Sequence, residues 1–224
     1  WYRFADAAAV AEAAVSRILS AAKRAVAARG IFRLVLAGGS TPERAYRYLA
    51  DCDADWSRWQ LYLGDERCLP VEDPDRNSTM IERAWLQQVS LSPRQVHWIP
   101  AECGAEQGAR DYQTVIENAL PFDMVLLGMG EDGHTASLFP GNRALEDGAA
   151  VVAVYDAPKP PPERVTLGLN TILSAGRRIV LVSGSSKRAA MTALRQGKPL
   201  PVNRIGPADW FVDQAAYSNQ QDIE

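Results

Sequence analysis

The residues best placed to do chemistry lie in four short polar stretches, each opened by glycine or serine and each preceded by an apolar run. They are Gly38-Gly39-Ser40-Thr41, Gly64-Asp65-Glu66-Arg67, Gly128-Met129-Gly130-Glu131-Asp132-Gly133-His134 and Ser183-Gly184-Ser185-Ser186-Lys187. The third ends in a histidine, whose unperturbed pKa of about 6.5 suits a general base near neutrality. The first offers backbone N–H groups and two hydroxyls just before Pro42, and a helix starting there would seat an anion such as phosphate. Arg67, Arg164 and Lys187 are candidate charge partners, the arginines for bidentate contacts and the lysine as a point charge.

Gly128-x-Gly130-x-x-Gly133 also matches the glycine pattern of a dinucleotide-binding turn. That turn must open directly into a helix facing the pyrophosphate. Here the chain meets Pro140-Gly141 too soon, and Glu131 and Asp132 would repel a pyrophosphate. A nicotinamide or flavin is therefore not expected, and the glycines are read as permitting a tight turn and close approach to a ligand. The sequence contains no G-x-S-x-G elbow, no P-loop spacing and no H-x-x-x-H pair. Two histidines, His97 and His134, are too few for a three-histidine metal site. No cofactor and no metal are expected. His97, beside Trp98 in a short strand, reads as structural.

The elements that must position these stretches follow from periodicity and punctuation. Asp6 caps a helix to about Arg29, ended by Gly30. Strands are expected at Ile31–Ala37, Trp59–Leu63, Val96–Ile99, Asp123–Leu127, Val151–Tyr155, Val165–Leu169, Arg178–Val182 and Trp210–Ala216. Helices are expected from Thr41 (as N-cap) to Ala50, from Asn77 or Ser78 to Leu86, from Ala105 to Leu120, and from the Lys187 loop to Arg195. Pro158–Pro162 is a stiff extended loop. This alternation predicts an α/β fold of Rossmann-like type, an open, mostly parallel sheet with helices on both faces. In such sheets ligands bind outside the carboxyl ends of the strands, where all four polar stretches converge.

Composition sets the remaining bounds. The 224 residues, with 47% hydrophobic and 23% charged content, suit one domain over 1–224 with a full core. A net charge of −3 with dispersed cations argues against nucleic acid. No run approaches the roughly 20 apolar residues of a membrane helix. The three cysteines lack C-x-x-C spacing, which points to a reducing, cytoplasmic setting. A monomer or weak homodimer is expected.

Four segments resemble the 6-phosphogluconolactonase family: LAGGSTPERAY, LGDERCLPVEDPDRNS, FDMVLLGMGEDGHTASLFPG, and PPPERVTLGLNTIL with the following VSGSSK, together spanning residues 36 to 187. The resemblance implies cofactor-free hydrolysis of 6-phospho-D-glucono-1,5-lactone to 6-phosphogluconate in the pentose phosphate pathway. It implies His134 as the base that activates water, with Asp65 as rival base and Asp132 orienting either the imidazole or the sugar hydroxyls. Gly39, Ser40, Thr41, Arg67, Asn77, Gly130, Asp132, Arg164 and Lys187 would then bind a phosphorylated sugar lactone, and amides of the Gly128–Gly133 loop would face the oxyanion. Glucosamine-6-phosphate deaminases share the fold but typically continue Ile-Ala-Phe-Asn-Glu-Pro after the histidine. This chain reads Thr135-Ala136-Ser137-Leu138-Phe139-Pro140, the lactonase form. It departs from many lactonases at Ala45 and at Arg76-Asn77. The alternatives are a deaminase or isomerase acting on a sugar phosphate, and a non-catalytic sugar-phosphate-binding regulator.

Overall fold

The computed structural model describes residues 1–217. In chain order its elements are β1 (Tyr2–Phe4), α1 (Ala7–Arg29), β2 (Phe32–Leu36), α2 (Ser40–Ala50), β3 (Trp59–Leu63), β4 (Asp65–Arg67), α3 (Asn77–Ala84) and β5 (Val96–His97). Then come α4 (Ala105–Glu117), β6 (Met124–Gly128), β7 (Val151–Val154), β8 (Arg164–Leu167), α5 (Leu169–Ser174), β9 (Arg178–Val182), α6 (Arg188–Arg195), β10 (Asp209–Asp213) and α7 (Gln214–Tyr217).

Helix α1 shows how sequence becomes element. Asp6 accepts the Ala9 N–H at 2.9 Å, and Gly30, in the left-handed region at φ 74°, closes the other end onto the Val26 carbonyl. Its buried stripe of Val10, Ala14, Val15, Ile18, Ala22 and Ala25 follows the helical period. Small side chains there let it lie close on β9 and β10 and against α2.

Seven strands form the expected parallel sheet, in the order β1-β10-β9-β6-β2-β3-β5. The chain runs from β2 outward through β3 to β5, then returns to the other side of β2 at β6. The crevice between the carboxyl ends of β2 and β6 is thus a topological switch point, where open α/β sheets bind ligands. The departure from a single sheet is a second one, β4-β8-β7, whose strands pair antiparallel. The connection 155–163 is too short for a parallel crossover, which takes roughly a dozen residues or more.

Several boundaries differ from the sequence reading. The edge strand β1 is too short to show a period, and β10 gives way to helix at Gln214. Helix α2 begins at Ser40 with Gly39 at the N-cap position, so Thr41 lies inside the first turn and does not cap it. Nor does Asn77 or Ser78 cap α3: Arg76 occupies that position, and the open amides find their acceptor elsewhere.

Candidate active site

The carboxyl ends of β2, β3, β6 and β9 open into one cavity of about 330 Å³. Ten of the predicted residues line it: Gly39 just before α2, Ser40 and Thr41 from its first turn, Asp65, Arg67 and Asn77 from the β4–α3 side, Gly130 and His134 from the loop after β6, and Arg164 and Lys187. Asp132 stands behind His134. A larger cleft of about 820 Å³ between α4 and the Phe139–Asp147 segment contains none of them. Its cations Arg110 and Arg143 are outnumbered by Glu106, Asp147 and Asp156, so it lacks the anion-seeking character of the smaller cavity.

The glycine loop is folded around the histidine. His134 Nδ1 lies 2.5 Å from Asp132 Oδ1, which also accepts the His134 backbone N–H at 3.2 Å. With Asp132 ionised, that contact places the ring proton on Nδ1 and leaves the Nε2 lone pair to the cavity. Among the described residues no group hydrogen-bonds Nε2. The ring rests on Phe139, centroids 4.5 Å apart. Burial pushes the imidazole below its usual pKa, against the hydrogen bond and charge of Asp132 and the charge of Asp65, which raise it. Burial alone would raise the Asp132 carboxyl, but its bonds to His134 hold it below its ordinary value.

Gly130 is required by space. A Cβ there would fall 2.0 Å from His134 Nδ1 and 2.6 Å from Asp132 Oδ1. Its amide is spent on the His134 carbonyl at 2.8 Å, and the Gly133 amide on the Gly130 carbonyl at 3.1 Å. These two N–H groups therefore cannot serve an oxyanion, which corrects that part of the sequence reading. The loop turns again at Ala136, a non-glycine residue at φ 47°, before delivering Ser137 to Asp65.

Asp65 is buried and committed. Its Oδ2 accepts from Ser137 Oγ at 2.7 Å and its Oδ1 from Asn77 Nδ2 at 3.3 Å. Asn77, itself buried, packs against the bare Cα of Gly38, where a Cβ would sit 2.0 Å from its Oδ1. Asn77 thus acts mainly by holding Asp65. The fully buried Glu66 supplies the cap missing from α3, accepting the amides of Arg67 at 2.9 Å, Asn77 at 2.7 Å and Ser78 at 2.8 Å. Arg76 stands 3.5 Å from Glu66 and 2.8 Å from Glu102. Arg67 is held by the Asp75 carbonyl, and its buried Nε has no partner.

Arg67 pairs across the strands with Arg164, two cations on one wall. Arg164 is buried and donates to the carbonyls of Lys159 at 3.0 Å, Pro160 at 3.3 Å and Pro161 at 3.2 Å, with its guanidinium over Phe139. Three of its hydrogen bonds fasten that loop, and it also lines the cavity. The other end of the cavity presents hydrogen-bond donors and a cation. No side chain caps α2, whose first-turn amides are without intrahelical partners. Thr41 Oγ1 bonds Ser183 Oγ, which joins this helix start to the loop carrying Lys187. Desolvation lowers the Lys187 ammonium, and the nearby Glu131 charge opposes that shift.

The supporting residues were not legible in the sequence. Tyr46 brackets Ala37, its hydroxyl bonded to the carbonyl at 2.8 Å and the amide at 2.9 Å, just before the Gly38 loop. Tyr112 does the same at Leu63, before Gly64. Asp213, at the carboxyl end of β10, accepts the Gly184 amide at 3.0 Å and so fixes the start of the lysine loop. Lys159 lines the cavity from the proline-rich loop. Among the described residues no three His, Cys, Asp or Glu side chains gather to hold a metal, and no helix is long and apolar enough to cross a membrane.

A family model described as "Glucosamine-6-phosphate isomerases/6-phosphogluconolactonase" matches residues 5–214. The chain is 39% identical over 211 residues to a 6-phosphogluconolactonase of Mycobacterium leprae, covering 88% of this chain and 85% of that one. It is 38% identical over 234 residues to that of Mycobacterium tuberculosis, covering 95% of each. The crystal structure of a 6-phosphogluconolactonase from Thermotoga maritima superposes with a TM-score of 0.88 at 26% identity, over 95% of this chain and 98% of that one. A monomeric glucosamine-6-phosphate deaminase matches with a TM-score of 0.84 at 22% identity, a likeness of fold alone.

Proposed function

Because the chain belongs to the glucosamine-6-phosphate isomerase/6-phosphogluconolactonase family, we propose that it hydrolyses 6-phospho-D-glucono-1,5-lactone to 6-phosphogluconate, the second step of the oxidative pentose phosphate pathway. The observation that carries the reading is the His134–Asp132 pair, with Nε2 facing a cavity whose far end is uncapped helix and lysine. His134 Nε2 takes a proton from water as the water oxygen attacks C1. The C1–ring oxygen bond then breaks, and the imidazolium returns its proton to the departing oxygen. Asp132 keeps the imidazole in the required tautomer and stabilises the imidazolium. Ser40, Thr41, the α2 amides and Lys187 seat the 6-phosphate. Arg67, on the wall beside Asp65, helps to hold the phosphate and the sugar hydroxyls.

The deaminase reading has one feature in its favour, a carboxylate at Asp65 in the same cavity. Against it, Asp65 is engaged by both Ser137 and Asn77. We further propose one domain over 1–224, of which 218–224 lie outside the described residues, working in the cytoplasm as a monomer or weak homodimer. One core cluster extending from α1 to α7 supports the single domain, and three free cysteines support the cytoplasmic setting.

The test generates the lactone in situ with a glucose-6-phosphate oxidising system and follows 6-phosphogluconate formation against the spontaneous background. Ammonia release from glucosamine-6-phosphate at comparable turnover would overturn the assignment. His134→Asn should lower kcat by about 10² to 10⁴, the usual worth of general acid–base catalysis. Should Asp65→Asn abolish activity while His134→Asn keeps it, the two roles must be exchanged.

A further inference from the structure

Lys159 belongs to a stretch, Pro158 to Pro162, that the sequence marks only as a stiff loop. The structure gives that stiffness a direction. The buried Arg164 guanidinium ties down the carbonyls of residues 159, 160 and 161, and the Ala157 amide closes the loop onto the Pro162 carbonyl at 3.0 Å. Arg164 in turn lies over Phe139, the ring on which His134 rests. The Lys159 backbone is therefore fixed to the wall behind the histidine, while its side chain is exposed and lines the cavity.

Lys187 lines the same cavity from the loop after β9. Among the described residues neither ammonium has a carboxylate within ion-pair distance. The charged groups around Lys187 are Glu131, Asp132 and Lys159, and the Lys159 charge is felt at His134 as well. Two like charges left unpaired over one cavity carry a repulsion that a ligand with two negative charges removes. A phosphate monoester is such a ligand, and a flexible stem bearing a compact charge suits a lysine to reach it.

We propose that Lys159 is a substrate-binding residue that joins Lys187 in holding the 6-phosphate, one lysine from each of two loops, and so sets the preference for a phosphorylated over an unphosphorylated lactone. The proposal rests on the lactonase reading above. It adds to the phosphate seat a cation from the wall that carries the catalytic ring, so that binding the phosphate fixes the distance between the seat and His134.

The experiment compares wild type, Lys159→Ala and Lys159→Arg on the phosphorylated lactone and on glucono-1,5-lactone, with inorganic phosphate as competitor and a thermal melt to confirm folding. For Lys159→Ala, KM for the phosphorylated lactone should rise by roughly 5- to 50-fold, the range for one charge-assisted contact at a half-open site. The ratio of kcat/KM between the two lactones should fall by the same factor, inhibition by phosphate should weaken in parallel, and Lys159→Arg should recover most of both. A ratio equal to that of wild type overturns the proposal, whether both lactones slow equally or neither does. Wild-type protein that hydrolyses no lactone would instead sink the functional reading. Phosphate titration of wild type and Lys159→Ala by calorimetry then still decides the role of the lysine, equal affinities counting against it.

Discussion

Replacing Gly130 with alanine tests the site at its tightest point. The added methyl would meet His134 Nδ1 at 2.0 Å, His134 Cε1 at 2.1 Å and Asp132 Oδ1 at 2.6 Å, where real Cβ contacts stay above 3.0 Å. The imidazole must therefore retreat by about 1 Å, and the hydrogen bond that fixes its tautomer must stretch or break. A misplacement of that size at a catalytic group costs on the order of 10²-fold in rate. Gly130 is not among the residues at positive φ, so the backbone itself tolerates alanine and the effect isolates the ring. KM should change little, because the proposed phosphate seat lies on α2 and the Lys187 loop. The assay is initial-rate kinetics on in situ lactone, with Gly148→Ala as control, since a Cβ there meets nothing within 4 Å. A Gly130→Ala enzyme with wild-type kcat would refute the placement of chemistry at His134, because no working geometry of the pair survives that methyl.

Asp132→Asn removes the bond and charge that raise His134 against its desolvation. The imidazole then protonates only at lower pH, so the acid limb of kcat/KM should move down the pH scale while kcat falls by about 10²-fold or more; an upward shift would contradict the pairing. Lys187→Ala and Arg67→Ala should mainly raise KM, by about 10- to 150-fold for a charge-assisted bond of roughly 1.5–3 kcal/mol, and loss of kcat alone would move these cations to the reacting carbonyl. Glu66→Gln turns an acceptor into a donor facing the α3 amides, at about 1–3 kcal/mol. That lowers Tm by about 2–4 °C per kcal/mol in a chain of this size, and an unchanged melt would show that the carboxylate is not what caps the helix.

What the sequence disclosed and what it hid divide along distance. The four loops were legible because each is local: an apolar strand, then glycine and polar residues. Their convergence followed from the rule for parallel sheets. The His134–Asp132 pair spans two residues, so it too was within reach. The residues that aim the site were not. Ser137 meets Asp65 across 72 positions, Tyr112 meets Leu63 across 49, and Asp213 meets Gly184 across 29. No local period encodes such bonds. Thr41 was misplaced because hydroxyl followed by proline reads as a cap, whereas Gly39, at φ 104°, makes the turn one residue before α2 starts. Glu66 was passed over inside GDER because its partners belong to a helix eleven residues on.

The proposed division of labour between Asp65 and His134 rests on what each already holds. Protonating Asp65 would weaken the bonds it accepts from Ser137 and Asn77; among the described residues the buried Ser137 Oγ has no other acceptor, whereas Asn77 Nδ2 also donates to the Asp65 carbonyl at 2.9 Å. Leaving such a donor unpaired costs about 1–3 kcal/mol. His134 has no such debt: its Nδ1 is satisfied by Asp132, and its Nε2 is open to the cavity. Lactone hydrolysis needs one group that accepts a proton from water and hands it to the ring oxygen, and a buried imidazole backed by a carboxylate does both. Ser137 belongs to the same loop continuation that separates this chain from the deaminase pattern. By donating to Asp65 it engages that carboxylate and ties it to the loop that carries His134, the proposed base.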